Sequence, residues 1–101
     1  MTIRLTRLAA EDLETAHAHY DSVDPDLGRR FVADLDLVME RLQTFPHGAA
    51  PVEGFPGLRR ARMRQFPYGV FYRPGTDDLV IVRVLYTRQD RTPPAPPLST
   101  A

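Results

Sequence analysis

Between Leu58 and Arg91 the chain reads LRRARMRQFPYGVFYRPGTDDLVIVRVLYTRQDR. Its opening alternates strictly, with Arg60, Arg62 and Arg64 on one parity and Ala61 and Met63 on the other. A period of two belongs to a strand with one face toward a core and one toward water. The strand is predicted over Leu58 to Gln65, and Phe66-Pro67 marks a turn. Tyr68 to Arg73 is the next strand, and Pro74-Gly75-Thr76-Asp77-Asp78 is a turn by composition. Leu79 to Tyr86 is apolar and β-branched almost throughout, Arg83 excepted, which predicts a central strand buried on both faces. Three strands joined by turns this short pair in succession as an antiparallel meander.

The first half has a different period. Thr2 to Thr6 alternates and predicts a short strand. From about Leu8 the apolar positions Leu13, Ala16 and Tyr20 recur at helical spacing, with Glu11, Asp12 and Glu14 near the start, where a helix dipole favours acids. This helix is predicted to end near Asp21 to Val23. Asp24-Pro25 opens a second helix, with Asp24 as its N-cap and Pro25 in its first position. Leu27, Phe31, Leu35, Val38 and Leu42 follow at spacings of 4, 4, 3 and 4, an amphipathic stripe destined for a core. Pro46 disfavours helix at Phe45, so the stop falls around Thr44. The connection between the helices is short and predicts an antiparallel helical hairpin. His47 to Gly57 carries three glycines and two prolines and reads as a loop. The expected fold is α+β, in the order β-α-α-β-β-β. The helix hairpin packs on one face of a small, mostly antiparallel four-stranded sheet, and the arginines lie on the other face. Residues 1–91 form the domain, and 92–101 a Pro-rich flexible tail whose PxxP spacing at Pro94 and Pro97 is that of an extended end.

Composition narrows the chemistry. The 101 residues include no cysteine, so disulfides, thiolate metal sites and cysteine nucleophiles are excluded. All 13 Lys+Arg residues are arginine, so a lysine base or Schiff base is excluded as well. Net charge is zero, but residues 1–57 hold five arginines against ten acids, and residues 58–101 hold eight against three. Four of those eight (Arg59, Arg60, Arg62 and Arg64) crowd into six residues. Guanidinium groups stay protonated and favour planar, bidentate contact with phosphate or carboxylate. The row is expected to meet a polyanion or an acidic partner. The plain alternative is a solvated strand face, or one paired internally with Asp34, Asp36 and Glu40. No His/Asp/Glu group has metal-ligand spacing, so no metal or cofactor is expected. His17 and His19 sit on the first helix, and His47 in the Gly/Pro loop; none has a partner that would make it a catalytic group. No apolar run approaches the roughly 18 residues of a membrane helix, and the start lacks the apolar core of a signal peptide, so a cytoplasmic protein is expected.

Several segments together carry a resemblance. Ala10-Glu11-Asp12-Leu13 opens the first helix, Arg30-Phe31 lies in the second, and Phe45-Pro46 closes it. Gly57-Leu58-Arg59-Arg60 leads into the basic strand, Phe66-Pro67-Tyr68-Gly69-Val70-Phe71-Tyr72-Arg73 forms the next, and Val82-Arg83-Val84-Leu85-Tyr86 precedes Arg88-Gln89-Asp90. In order, spacing and length the chain resembles the RelE/ParE superfamily of toxins from type II toxin–antitoxin pairs.

That resemblance implies one of two activities, each held in check by a cognate antitoxin. RelE-like members cut mRNA on the ribosome, whereas ParE-like members inhibit DNA gyrase. In the RelE-like reading Arg60, Arg62, Arg83 and Arg88 would clamp phosphate and Tyr86 would serve as acid or base. The arginine that RelE-like enzymes carry after the turn tyrosine is replaced here by Gly69, and the tail after Thr92 holds no Tyr or His. The ParE-like reading needs only a basic, aromatic surface and fits better. Its expected partner-binding residues are Arg59, Arg60, Arg62, Arg64, Phe71 and Arg73. The antitoxin is expected to lay an acidic amphipathic segment over the apolar seam between hairpin and sheet, near the arginines. A non-toxic, antitoxin-binding module is the third reading.

Overall fold

Thr6 starts the architecture by ending one element and capping the next. In the computed structural model, which describes residues 1–87, strand β1 (Thr2–Leu5) stops at Thr6 and helix α1 (Arg7–Val23) begins. The Thr6 side chain accepts from the Ala9 N–H at 3.1 Å and donates to the Val82 carbonyl at 2.7 Å, which ties the helix start to the last strand. The first turn of α1 contains no acid. The helix opens slightly earlier than the periodicity suggests, so Glu11 and Asp12 lie beyond the reach of its N-terminal dipole.

Asp24 punctuates the helical hairpin. Its N–H donates to the Tyr20 carbonyl at 3.0 Å and closes α1, and its carboxylate accepts from the Asp26 N–H at 2.9 Å and opens α2 (Pro25–Thr44). Pro25 stands in the first turn and α2 ends at Thr44, as the sequence predicts. Phe31, Val38 and Leu42 from the stripe are buried, together with Ala9 and Ala16 of α1.

The remaining strands are β2 (Ala50–Pro51), β3 (Arg59–Arg62), β4 (Tyr68–Pro74) and β5 (Asp78–Tyr86). They form one sheet in the order β1-β5-β4-β3-β2. The sheet has five strands rather than four. Two residues of the Gly/Pro segment, Ala50 and Pro51, pair antiparallel with Arg60 and Arg59 and make the extra edge. A strand of that length has no periodicity to read, and Pro51, with no N–H, fits only an edge. The meander β3-β4-β5 is antiparallel as predicted, and β1 adds to β5 in parallel.

Register sets the faces. Ala61, Val70 and Val84 stand opposite one another and are buried under the helices, as are Tyr72 and Ile81. The pairing slips between Phe71 and Tyr72, where Phe71 faces Arg83 but Tyr72 faces Ile81. That bulge puts one extra residue in β5, so Ile81 and Val84 both reach the core although three positions apart. The second face of β5, at Val80 and Val82, is half-buried rather than covered.

Candidate functional site

The arginines of the basic half do not form one row. Arg59, Arg73 and Arg83 are engaged by bonds within the fold. Arg59 stands opposite Tyr72 on the helix side of the sheet and donates to the carbonyls of Ala49 at 2.7 Å and His47 at 3.1 Å. Tyr72 donates to the Pro46 carbonyl at 2.8 Å, so the pair anchors the segment leaving α2. Arg73 donates to the Pro56 carbonyl at 2.9 Å. Arg83, beside the bulge and past the end of β1, reaches Asp12 of α1 through two bonds of 2.8 and 3.0 Å. Asp12 also accepts the Val84 N–H at 2.9 Å. Hydrogen bonding from Arg83 holds the Asp12 carboxyl below the usual carboxylate range, with the Val84 N–H adding to the effect and partial burial opposing it.

Arg60 is half-buried, and Arg62 and Arg64 are exposed. Arg60 and Arg62 lie on the face away from the helices, where the stem of Arg60 passes over Gly69. Phe71, opposite Arg60, is half-buried on that face. The strand ends at Arg62, and Arg64 begins the turn into β4. The turn is held by a residue of α2. Asp34, only 2% exposed, accepts the backbone N–H groups of Arg64 at 3.1 Å, Gln65 at 2.8 Å and Phe66 at 3.3 Å. Asp34 therefore serves the peptide backbone of the basic turn, and Arg64 is left to point elsewhere.

Arg64 converges with a second arginine, Arg41, from the acidic half of the chain, beside the Arg62 end of β3. A depression of about 430 Å³ opens where the last turns of α2 pass the edge of β3 beyond β2, walled by Arg41, Leu42, Phe45, Gly48, Ala49, Ala61 and Arg62. A second, of about 270 Å³, is walled by Leu37, Glu40, Arg41, Thr44, Phe45 and Arg64. Arg41 and Phe45 belong to both, so the two form one furrow. Phe45 is 64% exposed and stands between its halves. Arg41 donates to the Arg62 carbonyl at 3.4 Å across it. An apolar floor, a protruding phenyl ring and two arginines, Arg41 and Arg64, against the single lining acid Glu40 suit a segment that is apolar on one side and acidic on the other. Arg41 and Phe45 carry this site, yet the sequence reading assigns neither to it, and Asp34, expected there only as an internal partner of arginine side chains, bonds the backbone of their turn instead. Asp34 was findable, since it falls on the buried stripe between Phe31 and Val38, where an acid must have a partner.

Among the described residues, the nuclease candidates Arg60, Arg62, Arg83 and Tyr86 do not share one face. Tyr86 stands opposite Tyr68 on the helix side of the sheet, 59% exposed, with its ring edge-on to Tyr68 at 5.7 Å. Arg60 and Arg62 are on the other face, Arg83 is held by Asp12, and Arg88 lies outside the described residues, as does the 92–101 tail. Burial, and then the neighbouring Tyr20 and Tyr86, push the Tyr68 phenol up to about 12. No described helix is long and apolar enough to cross a membrane.

Known proteins share this fold. No protein of curated function matches the chain. Residues 3–91 match the family described as ParE toxin of type II toxin-antitoxin system, parDE. Among solved structures, the chromosomal ParDE TA system from P. aeruginosa superposes with a TM-score of 0.74 at 26% identity, over 87% of this chain and 97% of that one. The chain belongs to the ParE toxin family of type II toxin–antitoxin systems.

Proposed function

We propose that this ParE-family toxin acts on DNA gyrase in the cytoplasm, and that its cognate antitoxin silences it by seating an acidic amphipathic segment in the furrow between α2 and β3. The furrow carries the second part of the reading. Its floor can take an apolar side chain beside Phe45, and Arg41 and Arg64 stand where carboxylates of the same segment would meet them. The first part is supported by the ParE family match and by the scattering of Arg60, Arg62, Arg83 and Tyr86 over two faces and an internal ion pair. An RNA-cleaving centre needs its base, acid and phosphate clamp around one phosphate.

Purified toxin is expected to inhibit supercoiling of relaxed plasmid by gyrase and to leave ribosome-bound mRNA intact. Co-expressed antitoxin is expected to restore supercoiling. Cleavage of the mRNA, or full gyrase activity at saturating toxin, would refute the gyrase assignment.

A further inference from the structure

Opposite the furrow, at the other end of β3, the chain builds a second display. The β2–β3 connection folds into a tight tip in which Val52 donates to the Leu58 carbonyl at 2.9 Å, Phe55 to the Val52 carbonyl at 3.1 Å, and Leu58 to the Phe55 carbonyl at 3.0 Å. Gly54 and Gly57, at φ of 84° and 83°, occupy the left-handed region that other residues avoid. Arg73 clamps the tip from β4 through the Pro56 carbonyl, and Arg59 holds its base through Ala49. What this scaffold holds up is Phe55, which is 58% exposed. Glu53 and Arg73 are exposed beside it.

We propose that this tip is the surface with which the toxin engages its folded protein target, with Phe55 as the anchor. The inference rests on the toxin reading above but not on the identity of the target. An aromatic ring on a pre-organised loop, ringed by polar groups, has the make-up of an interface hot spot, because little side-chain or backbone freedom is lost on docking. Its convex shape selects the partner. A projecting phenyl ring needs a pocket to enter, and a single amphipathic segment has none, whereas a folded protein does. The concave furrow has the opposite requirement and takes the antitoxin.

The test compares wild type, Phe55→Ala, Phe55→Leu and Val23→Ala, expressed at matched levels in a bacterial host. Val23 is 64% exposed at the helical hairpin and serves as the control for loss of exposed apolar surface. Phe55→Ala is expected to need about 30-fold more toxin for the same growth inhibition, with an unchanged melting temperature. Phe55→Leu keeps apolar bulk and retains most of the effect, and Val23→Ala retains all of it. Both Phe55 variants still co-purify with the co-expressed antitoxin. Undiminished toxicity of Phe55→Ala, or loss of its antitoxin complex, would overturn the assignment. Wild type without effect on growth would overturn the toxin reading and this inference together. Wild type that inhibits growth but not gyrase would overturn only the choice of target.

Discussion

Asp34 shows how much one residue can decide. It sits on the buried stripe of a helix, where a carboxylate is costly unless fully bonded, and three peptide N–H groups of the β3–β4 turn bond it. Asp34→Ala leaves those donors unpaired in a largely buried place and is expected to cost about 3 kcal/mol in urea unfolding. Tyr68 makes a second residue-scale prediction. Its phenol is neutral when protonated, and the fold raises its pKa from 10.0 to about 12. Above pH 10 the folded chain keeps a proton that the unfolded chain releases. The contribution is therefore present in full below pH 10 and is lost as pH rises toward 12. The urea midpoint is expected to fall over that window in wild type, and less steeply in Tyr68→Phe.

At the scale of elements, the helical hairpin depends on close approach. A Cβ added at Gly28 would stand 2.7 Å from Asp21 Oδ1 and 3.2 Å from the Asp21 Cα. The side chain can swing away, but the backbone cannot. Gly28→Ala should gain up to about 1 kcal/mol in helix propensity. It is nonetheless expected to lower stability by about 1 kcal/mol net, because α1 must shift on α2. Thermal unfolding of the variant checks the sign. Helices, caps and the meander were all legible in the sequence because their signals are local. Asp24-Pro25, the 4-4-3-4 stripe and the alternating arginines each lie within a single helix, cap or strand. β2 and the β5 bulge were not legible. Both are set by which strand lies alongside, and neither leaves a mark on two or three residues.

At the scale of the whole molecule, the charge asymmetry of the chain does not map onto a charged and an uncharged half of the fold. Arg41, from the acidic half, joins Arg64, while Arg59, Arg73 and Arg83, from the basic half, hold the structure together. Replacing Arg41 and Arg64 together by glutamate is expected to weaken antitoxin binding by about 100-fold and to flatten its salt dependence, with the melting temperature unchanged. Titration calorimetry at two salt concentrations measures both effects.

Period, capping and turn chemistry, each encoded within a few neighbouring residues, determined the α+β class of this chain and the order of its elements apart from β2. Only the tertiary structure decided what each arginine does. A guanidinium group takes the same form in a structural bond as on an open surface, and its role depends on partners far away in the chain. Asp12 meets Arg83 across 71 positions, and Asp34 meets the basic turn across about 30. Contacts at that separation are products of the packed fold, and no local pattern of residues announces them.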